Sequence, residues 1–186
     1  GISALMTLKG DVDYLGTIFQ RGIQNSGFAK MAALSRQMNA FFSIWLPHLC
    51  LTEYPNTYTV FAGGDDFFLI GPWHSTMLLA ETMQQKFKQY VCENPDVHFS
   101  AGLSLTKPGL PINYLAHMAE TALDAAKGHN FDPAKDKSAP KNAVTCFQQS
   151  VSWGDFNELL KSAEQIEVFR GELKLSTGYI FSLLHF

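Results

Sequence analysis

Two adjacent carboxylates interrupt the apolar segment TYTVFAGGDDFFLIGPW, residues 57–73. Asp65 and Asp66 follow the glycine pair Gly63 and Gly64 and stand between two β-prone runs. Neighbouring negative charges repel each other, and a hairpin turn gains no stability from having two of them. Carboxylate oxygens are also the ligands that Mg²⁺ and Mn²⁺ prefer. Taken alone, the motif indicates either a solvated turn or a site for a divalent cation.

A third carboxylate reaches the same place through the topology. The segment ALMTLKGDV, residues 4–12, predicts a buried strand that ends near Asp11, because both of its faces are largely apolar. In the element order βαββαβ, the first and third strands are antiparallel neighbours. The end of the first strand therefore lies beside the start of the third. This brings Asp11 to Asp65 and Asp66 and favours the metal site over the solvated turn.

Three converging carboxylates predict a particular chemistry. They repel one another unless cations neutralise them, and hard divalent ions take such oxygen ligands. Two Mg²⁺ or Mn²⁺ ions held there would activate an attacking hydroxyl and stabilise a departing pyrophosphate. The Gly-Gly turn suits this chemistry, because it accepts positive φ and lets a ligand approach the bare backbone. The motif therefore predicts a two-metal site that acts on a phosphate-bearing substrate.

Two further features lie near this edge. The segment DVDYLG ends the first strand and opens a helix, so the amides of Asp13, Tyr14 and Leu15 would face a phosphate from the positive end of that helix. The Asp13 side chain is better explained as the helix cap than as a metal ligand. Lys127, near the end of a later helix, suits a phosphate tail, although the helix dipole already explains its position.

Composition restricts the class of protein. The 186 residues are 46% hydrophobic and 13% aromatic, which suffices for the core of one ordinary domain. A net charge of −3 argues against a broad basic face for nucleic acid. Cys50, Cys92 and Cys146 are far apart, which predicts free thiols in a reducing cytoplasm. No run approaches the roughly 18 apolar residues of a membrane helix, and we expect no membrane association.

The periodicity predicts an α+β, ferredoxin-like βαββαβ domain followed by another helix and strand. Its predicted strands are 4–12, 58–62, 67–70, 97–105 and 142–147. Its predicted helices begin near Tyr14 and cover 30–50, 74–94 with Ser75 as the N-cap, and 111–128 with Gly128 as the stop. A helical pattern of different character begins at Ser152. These features predict one domain over 1–151 and the start of a C-terminal helical domain over 152–186.

Several motifs together resemble one family. They are GDVDYLG at 10–16, LSRQMNAFF at 34–42, FAGGDDFFLIG at 61–71, HFSAGLSL at 98–105 and AETALDAAKG…KNAV from 119 to 144. This series closely resembles the second palm domain of the large subunit of type III CRISPR effector complexes, in the Csm-type (III-A) branch. The resemblance extends from about Leu5 to Trp153, and the segment after Ser152 is similar to the entry into that subunit's C-terminal helical domain.

The resemblance implies an activity and a set of roles. The family polymerises ATP into cyclic oligoadenylates, second messengers of RNA-guided antiviral defence, when its complex binds target RNA. The implied metal ligands are the side chains of Asp11, Asp65 and Asp66 and the carbonyl of Val12. The implied triphosphate contacts are the Gly63–Gly64 turn, the Asp13–Leu15 amides and Lys127. Tyr14 departs from the family, which usually has Asn there.

The resemblance also implies partners. They are ATP, the first palm of the same subunit, and the other subunits of the ribonucleoprotein with guide RNA and target RNA. Two ATP molecules normally face each other across the two palms, so this chain alone is expected to bind ATP without turnover. The family assigns cleavage of single-stranded DNA to an HD domain, so we do not expect it of these residues.

Two alternatives remain open at the level of sequence. Diguanylate cyclases share the fold, but they usually have Glu where this chain has Asp66, and their guanine-reading Asn has no obvious counterpart here. The other alternative is a palm that acts only as a scaffold, although the acidic trio is intact. Preference for GTP over ATP would favour the first alternative, and absence of binding to both Mn²⁺ and ATP analogues would favour the second.

Overall fold

The computed structural model of the chain describes residues 4–22, 27–129 and 141–174, together with 176, 178, 179 and 182. Its strands are β1 (Leu5–Val12), β2 (Tyr58–Gly63), β3 (Asp66–Pro72), β4 (Phe99–Thr106), β5 (Ala143–Cys146) and β6 (Gln149–Ser152). Its α-helices are α1 (Leu15–Thr17), α2 (Phe28–Ala40), α3 (Leu46–Glu53), α4 (Trp73–Tyr90), α5 (Ile112–Gly128) and α6 (Trp153–Glu172). π-Helical turns over Ile18–Gly22 and Phe41–Trp45 extend α1 and join α2 to α3.

The six strands form one mixed sheet in the order β2-β3-β1-β4-β5-β6. Strand β1 is antiparallel to both β3 and β4, and β4 is parallel to β5. The first four strands thus have the order of a ferredoxin-like βαββαβ unit. The predicted α+β palm architecture is confirmed, and β1 lies at its centre with the β2–β3 hairpin on one side.

One strand was missed by the sequence analysis. A two-residue turn, Phe147 and Gln148, joins β5 to β6, and both residues have positive φ, 51° and 65°. Such tight hairpin turns usually carry Asn-Gly or Asp-Gly, because those residues accept positive φ easily. Phe-Gln provides no such signal. The expected helix from Ser152 is therefore preceded by β6, and α6 begins at Trp153.

Helix boundaries differ from the prediction in two places. The expected N-cap at Ser75 is wrong, because α4 begins at Trp73 after Pro72 and no side chain caps it. The continuous helix expected over 30–50 is divided by the π-helical turn Phe41–Trp45. Both differences concern local backbone geometry that a periodic apolar pattern does not specify.

An aromatic cluster covers one face of the sheet behind the ends of β1 and β3. Phe42, Phe67, Phe87 and Phe99 are buried, and their ring centroids lie 5.3–6.5 Å apart in the contacts that link them. Gly10 on β1 makes room for the Phe67 ring, whose Cε1 would lie 2.8 Å from a Cβ atom at that position. This packing fixes the backbone from which the neighbouring acidic residues project.

Helix α5 packs on the other face of the sheet. Phe68 of β3 is buried there with Leu115 and Ala119 of α5. Gly102 of β4 lies directly under the helix, because a Cβ atom at that position would meet the Ala119 carbonyl oxygen at 2.8 Å. The small residues of β4 therefore let α5 approach the sheet closely.

The chain divides into two compact units, one up to Trp153 and one from Gly154 onward. The acidic residues of interest all belong to the first unit. Among the described residues, no helix has the length and apolar character needed to cross a membrane.

Gly102→Ala tests the close packing of α5. We expect it to lower the free energy of unfolding by about 1–3 kcal/mol, because the new methyl group meets helix backbone that cannot rotate away. Gly16→Ala is the matched control, since nothing lies within 4 Å of the Cβ position there. Urea unfolding of both variants measures the effect, and equal midpoints would show that the helix does not sit on Gly102.

Candidate active site

Asp11 and Asp66 stand directly opposite each other on β1 and β3. The Val12 amide donates to the Asp65 carbonyl oxygen at 3.0 Å, so the adjacent Asp11–Asp66 pair is of the closely spaced, non-hydrogen-bonded kind. Side chains of such pairs share a face and interact, and like charges there are destabilising. The predicted approach of Asp11 to the two turn carboxylates is confirmed.

The glycines of the motif have different roles. Gly64 has φ +65°, so the positive φ expected of the turn occurs at this position. Gly63 is the last residue of β2, and its missing side chain leaves room for the Ser43 hydroxyl, 3.0 Å from the Cβ position. The Gly64 amide donates to Asn39 Oδ1 at 2.8 Å, and Ser43 Oγ donates to the same oxygen at 2.7 Å. Helix α2 thus holds the turn, a contact that the sequence analysis did not identify.

Burial and neighbouring charges raise the pKa of both carboxylates of the pair. Burial, and then the charges of Asp65 and Asp11, raise the pKa of Asp66. Burial also raises the pKa of Asp11, and Asp65 and Asp13 add to the rise, whereas Lys127 opposes it. The repulsion expected between the carboxylates therefore contributes to the raised pKa of Asp11, but burial is the larger cause.

Two lysines approach the carboxylates from the α5 side of the sheet. Lys127 donates to Asp11 Oδ2, so in this structure it neutralises the carboxylate, and the helix dipole alone does not account for its position. Lys9 forms an ion pair with Glu120 of α5, and its charge also lowers the pKa of Asp66. The sequence analysis missed Lys9, although its position two residues before Asp11 on an alternating strand places it on the same face.

Asp13 does not have its predicted role. Its side chain is fully buried, and the helix that follows has no side-chain cap. Its Oδ2 instead accepts hydrogen bonds from His98 Nδ1, Ser100 Oγ and the Asn142 amide. The Asp13 amide donates to the His98 carbonyl oxygen at 2.8 Å, so this amide is already used and does not face a phosphate. The cap prediction is wrong because the chain turns into the sheet instead of starting a regular helix.

Tyr14 adopts a left-handed conformation, with φ 54° and ψ 23°, at the beginning of α1. Lys141 Nζ lies 4.0 Å from the centroid of its ring, and the His98 ring meets it edge-on at 6.3 Å. Helix α1 contains three α-helical residues before its π-helical turn, so the dipole expected at this terminus is small. Phosphate binding by the amides of Tyr14 and Leu15 remains a prediction.

The donor set fits a hard divalent cation by its chemistry. Asp11 on β1 and Asp66 on β3 are cross-strand neighbours, Asp65 lies in the adjoining turn, and the Lys127 ammonium group neutralises Asp11. The Val12 carbonyl faces the turn as well, because the N–H and C=O of a strand residue project to the same side. In residues 4–22, 27–129 and 141–174, however, no three His, Cys, Asp or Glu side chains are gathered closely enough to hold a metal ion.

Comparison with known families agrees with this geometry. A model of the Cas10/Cmr2 second palm domain matches residues 4–139. The chain belongs to this family. The resemblance predicted from the motifs is therefore confirmed.

Curated relatives of this palm domain are Cas10/Csm1 proteins of subtype III-A, described as single-strand-specific deoxyribonucleases of the CRISPR system. The protein from Methanocaldococcus jannaschii is 33% identical over 175 residues, which cover 85% of this chain and 22% of that protein. The protein from Thermococcus onnurineus is 30% identical over an alignment of 207 residues, gaps included, which covers 99% of this chain and 26% of that protein. The chain thus spans about a quarter of the length of these proteins.

Solved structures with the same fold include two assemblies of Csm1 with Csm4. The Csm1–Csm4 cassette in complex with one ATP has a TM-score of 0.68 and 26% identity, over 84% of this chain and 24% of that chain. The Csm1–Csm4 subcomplex of the type III-A interference complex has a TM-score of 0.69 and 26% identity, over 85% of this chain and 24% of that chain.

Asp66→Asn tests the repulsion within the carboxylate pair. In the absence of divalent ions at about pH 7, we expect the melting temperature to rise by about 1–3 °C, because one of two opposed charges is removed. The pKa of Asp66 is higher in the folded protein than its ordinary value of 3.8, which applies to the unfolded chain. Ionising this carboxyl therefore lowers the free energy of unfolding, and the loss develops as the pH rises from 3.8 through the raised pKa. The gain should therefore vanish below pH 3.8, where the carboxyl is protonated in both states.

Melting curves in EDTA at the two pH values measure this effect. Glu53→Gln is the control, because it also removes one negative charge. Glu53 is exposed at the end of α3, just before the start of β2 and so at the end of the hairpin away from its turn. A melting temperature for Asp66→Asn that stays at or below that of the unmodified chain at pH 7 would contradict the assignment.

Proposed function

We propose that this palm domain catalyses nucleotidyl transfer between ATP molecules and contributes to the synthesis of cyclic oligoadenylate in a type III-A CRISPR complex. The observation that carries the proposal is the opposed pair Asp11–Asp66, with Asp65 at the adjacent Gly-Gly turn. A pair of opposed like charges at the end of a buried sheet is unfavourable in isolation. It becomes favourable when a cation-bound nucleotide occupies the edge.

Relatives with this fold support the choice of nucleotide. Structures of Csm1–Csm4 cassettes have been determined with one ATP, with AMPPNP and with cA3, and their chains are 25–26% identical to this one. A substrate, a substrate analogue and a cyclic oligoadenylate thus bind to proteins of this architecture. We extend this chemistry to the present chain because its acidic edge has the residue types that phosphate-bound Mg²⁺ or Mn²⁺ needs.

The residues that would hold two Mg²⁺ or Mn²⁺ ions are Asp11, Asp65 and Asp66 through their side chains and Val12 through its carbonyl. When bound, such ions lower the pKa of an attacking hydroxyl and stabilise the charge on a departing pyrophosphate. We assign the metal-binding role to these four residues because the strand register pairs Asp11 with Asp66, and the Val12 amide bonds to the Asp65 carbonyl oxygen in the adjoining turn.

The chain's own residues then orient the nucleotide. The 3′-hydroxyl oxygen of one ATP would form a bond to the α-phosphorus of another and release its proton to solvent water. The bond from that phosphorus to the α–β bridging oxygen would break, so pyrophosphate leaves. The Gly63–Gly64 turn and the amides of Tyr14 and Leu15 would lie along the triphosphate. Lys127, once it releases Asp11, would move its charge to the phosphate tail, exchanging one anionic partner for another.

The proposal places the domain in a larger assembly. Its partners would be the first palm of the same large subunit, Csm4 and the other subunits of the complex, guide RNA and target RNA, all in the cytoplasm. Residues 152–186 would open the C-terminal helical domain of the subunit. Since two ATP molecules must face each other, we expect activity in the assembled complex and not in this domain alone.

Replacing both turn carboxylates tests the proposed chemistry. In the full large subunit, assembled with guide RNA and target RNA and supplied with ATP and Mn²⁺, Asp65→Asn with Asp66→Asn should reduce oligoadenylate formation at least about a hundredfold. The reason is that the variant keeps the shape of the turn but removes two metal ligands. Chromatography of the products with labelled ATP measures the loss.

Glu53→Gln in the same complex is the matched control, and it should leave product formation unchanged. GTP in place of ATP is a second arm of the experiment, and we expect no cyclic product from it. Undiminished synthesis by the double variant would place the reaction elsewhere in the subunit. Efficient use of GTP would instead support a diguanylate cyclase.

A further inference from the structure

Asp13 is the most deeply buried charged group beside the acidic edge. Its side chain has no exposed surface. Its Oδ2 is shared by three groups: His98 Nδ1 at 2.7 Å, Ser100 Oγ at 2.9 Å and the Asn142 amide at 3.0 Å. An oxygen engaged by three partners in a closed site cannot also reach a metal or a nucleotide.

The contacts of Asp13 join three strands at one point. Asp13 itself follows the last residue of β1, Ser100 lies in β4, and Asn142 immediately precedes β5. The backbone repeats the connection, because the Asp13 amide donates to the His98 carbonyl oxygen at 2.8 Å. Ser100 Oγ also receives the Ala143 amide at 3.4 Å. The end of β1 is therefore tied to its neighbour β4 and to β5, the next strand on that side of the sheet.

Strained backbone surrounds the same carboxylate. Tyr14, directly after Asp13, has φ 54°, and Lys141 and Asn142 have φ 106° and 55°. Left-handed conformations are unfavourable for a residue such as Tyr and persist only where the surrounding structure holds them. Asn142 donates its amide to the Asp13 carboxylate, and Tyr14 directly follows Asp13 in the chain, so this carboxylate helps to hold the strained backbone.

The burial of Asp13 is also energetically unfavourable. Its Oδ1 is buried and has no hydrogen-bond partner among the described residues. A buried polar atom without a partner loses its hydration and gains nothing in return. Stability alone does not explain why the Asp13 carboxylate is buried in this way. Asp13 lies two residues after Asp11, and this position points to a role in placing Asp11.

We propose that Asp13 is a positioning residue of the acidic edge: by tying the end of β1 to β4 and β5, it holds Asp11 and the Val12 carbonyl in register with the Asp65–Asp66 turn. This rests on the proposed nucleotidyl transfer, but it assigns Asp13 no contact with metal or ATP. Its role depends on accepting hydrogen bonds and not on its charge.

Asparagine separates this role from that of a ligand. In Asp13→Asn, an oxygen can replace Oδ2 and accept the same three hydrogen bonds, while the charge is lost. In Asp13→Ala, the acceptor itself is lost, and the end of β1 is no longer tied to its neighbours. A metal ligand responds to the loss of charge, as Asp11 should, whereas a positioning residue responds to the loss of the acceptor.

The experiment measures oligoadenylate synthesis by the full large subunit in its assembled complex with guide RNA, target RNA, ATP and Mn²⁺. We expect Asp13→Asn to retain kcat within about tenfold of the unmodified protein, and Asp13→Ala to lose about a hundredfold in kcat with little change in the KM for ATP. Asp11→Asn, two residues away and identical in chemical change, should lose at least about a hundredfold.

The outcomes distinguish the two proposals. If Asp13→Asn is as inactive as Asp11→Asn while its complex assembles and melts normally, Asp13 acts through its charge and the positioning role is wrong. If Asp11→Asn stays active, the proposed function fails, whatever Asp13 does. If Asp13→Ala keeps the kcat of the unmodified protein, the positioning role is wrong as well. Should Asp13→Ala fail to assemble, an inactive Asp13→Asn in a normally assembled complex still contradicts the positioning role.

Discussion

The opposition of Asp11 and Asp66 is the constraint on which the rest of this domain depends. Two carboxylates in a close cross-strand pair repel each other, and burial at the end of the sheet strengthens the preference of each for its protonated form. The backbone cannot relieve this repulsion by separating the strands, because both continue into a tightly packed core. The charge must therefore be balanced from outside the pair.

The core supplies that rigidity on both faces of the sheet. Behind the acidic edge, Phe67 and Phe99 belong to a buried aromatic cluster, and Gly10 lets one ring lie across β1. On the opposite face, Gly102 lets α5 approach the strands. Dense packing of this kind resists small shifts, so the carboxylates project from a backbone whose position is determined before any ligand arrives.

Helix α5 provides a balancing charge in this structure. Its Lys127 reaches Asp11, while Glu120 on the same helix holds Lys9 near the site. In the function that we propose, a cation at the edge would displace Lys127, whose charge would then pair with the phosphates of the nucleotide.

The sequence by itself determined the order of the strands, and the order of the strands determined the meeting of Asp11 with Asp65 and Asp66. It sufficed because apolar alternation and a Gly-Gly-Asp-Asp turn are local signals, and the ferredoxin-like topology leaves one arrangement for them. The strand β6 escaped prediction, since its turn contains no residue that usually adopts positive φ.

Only the tertiary structure decided what Asp13 and Lys127 do. Both have an explanation within their own segment, as a helix cap and as a residue at a helix end. Their actual partners lie 85 to 129 residues away in the chain for Asp13 and 116 residues away for Lys127. Such contacts depend on how strands and helices stack, and a single sequence does not specify which distant donor a buried carboxylate will accept.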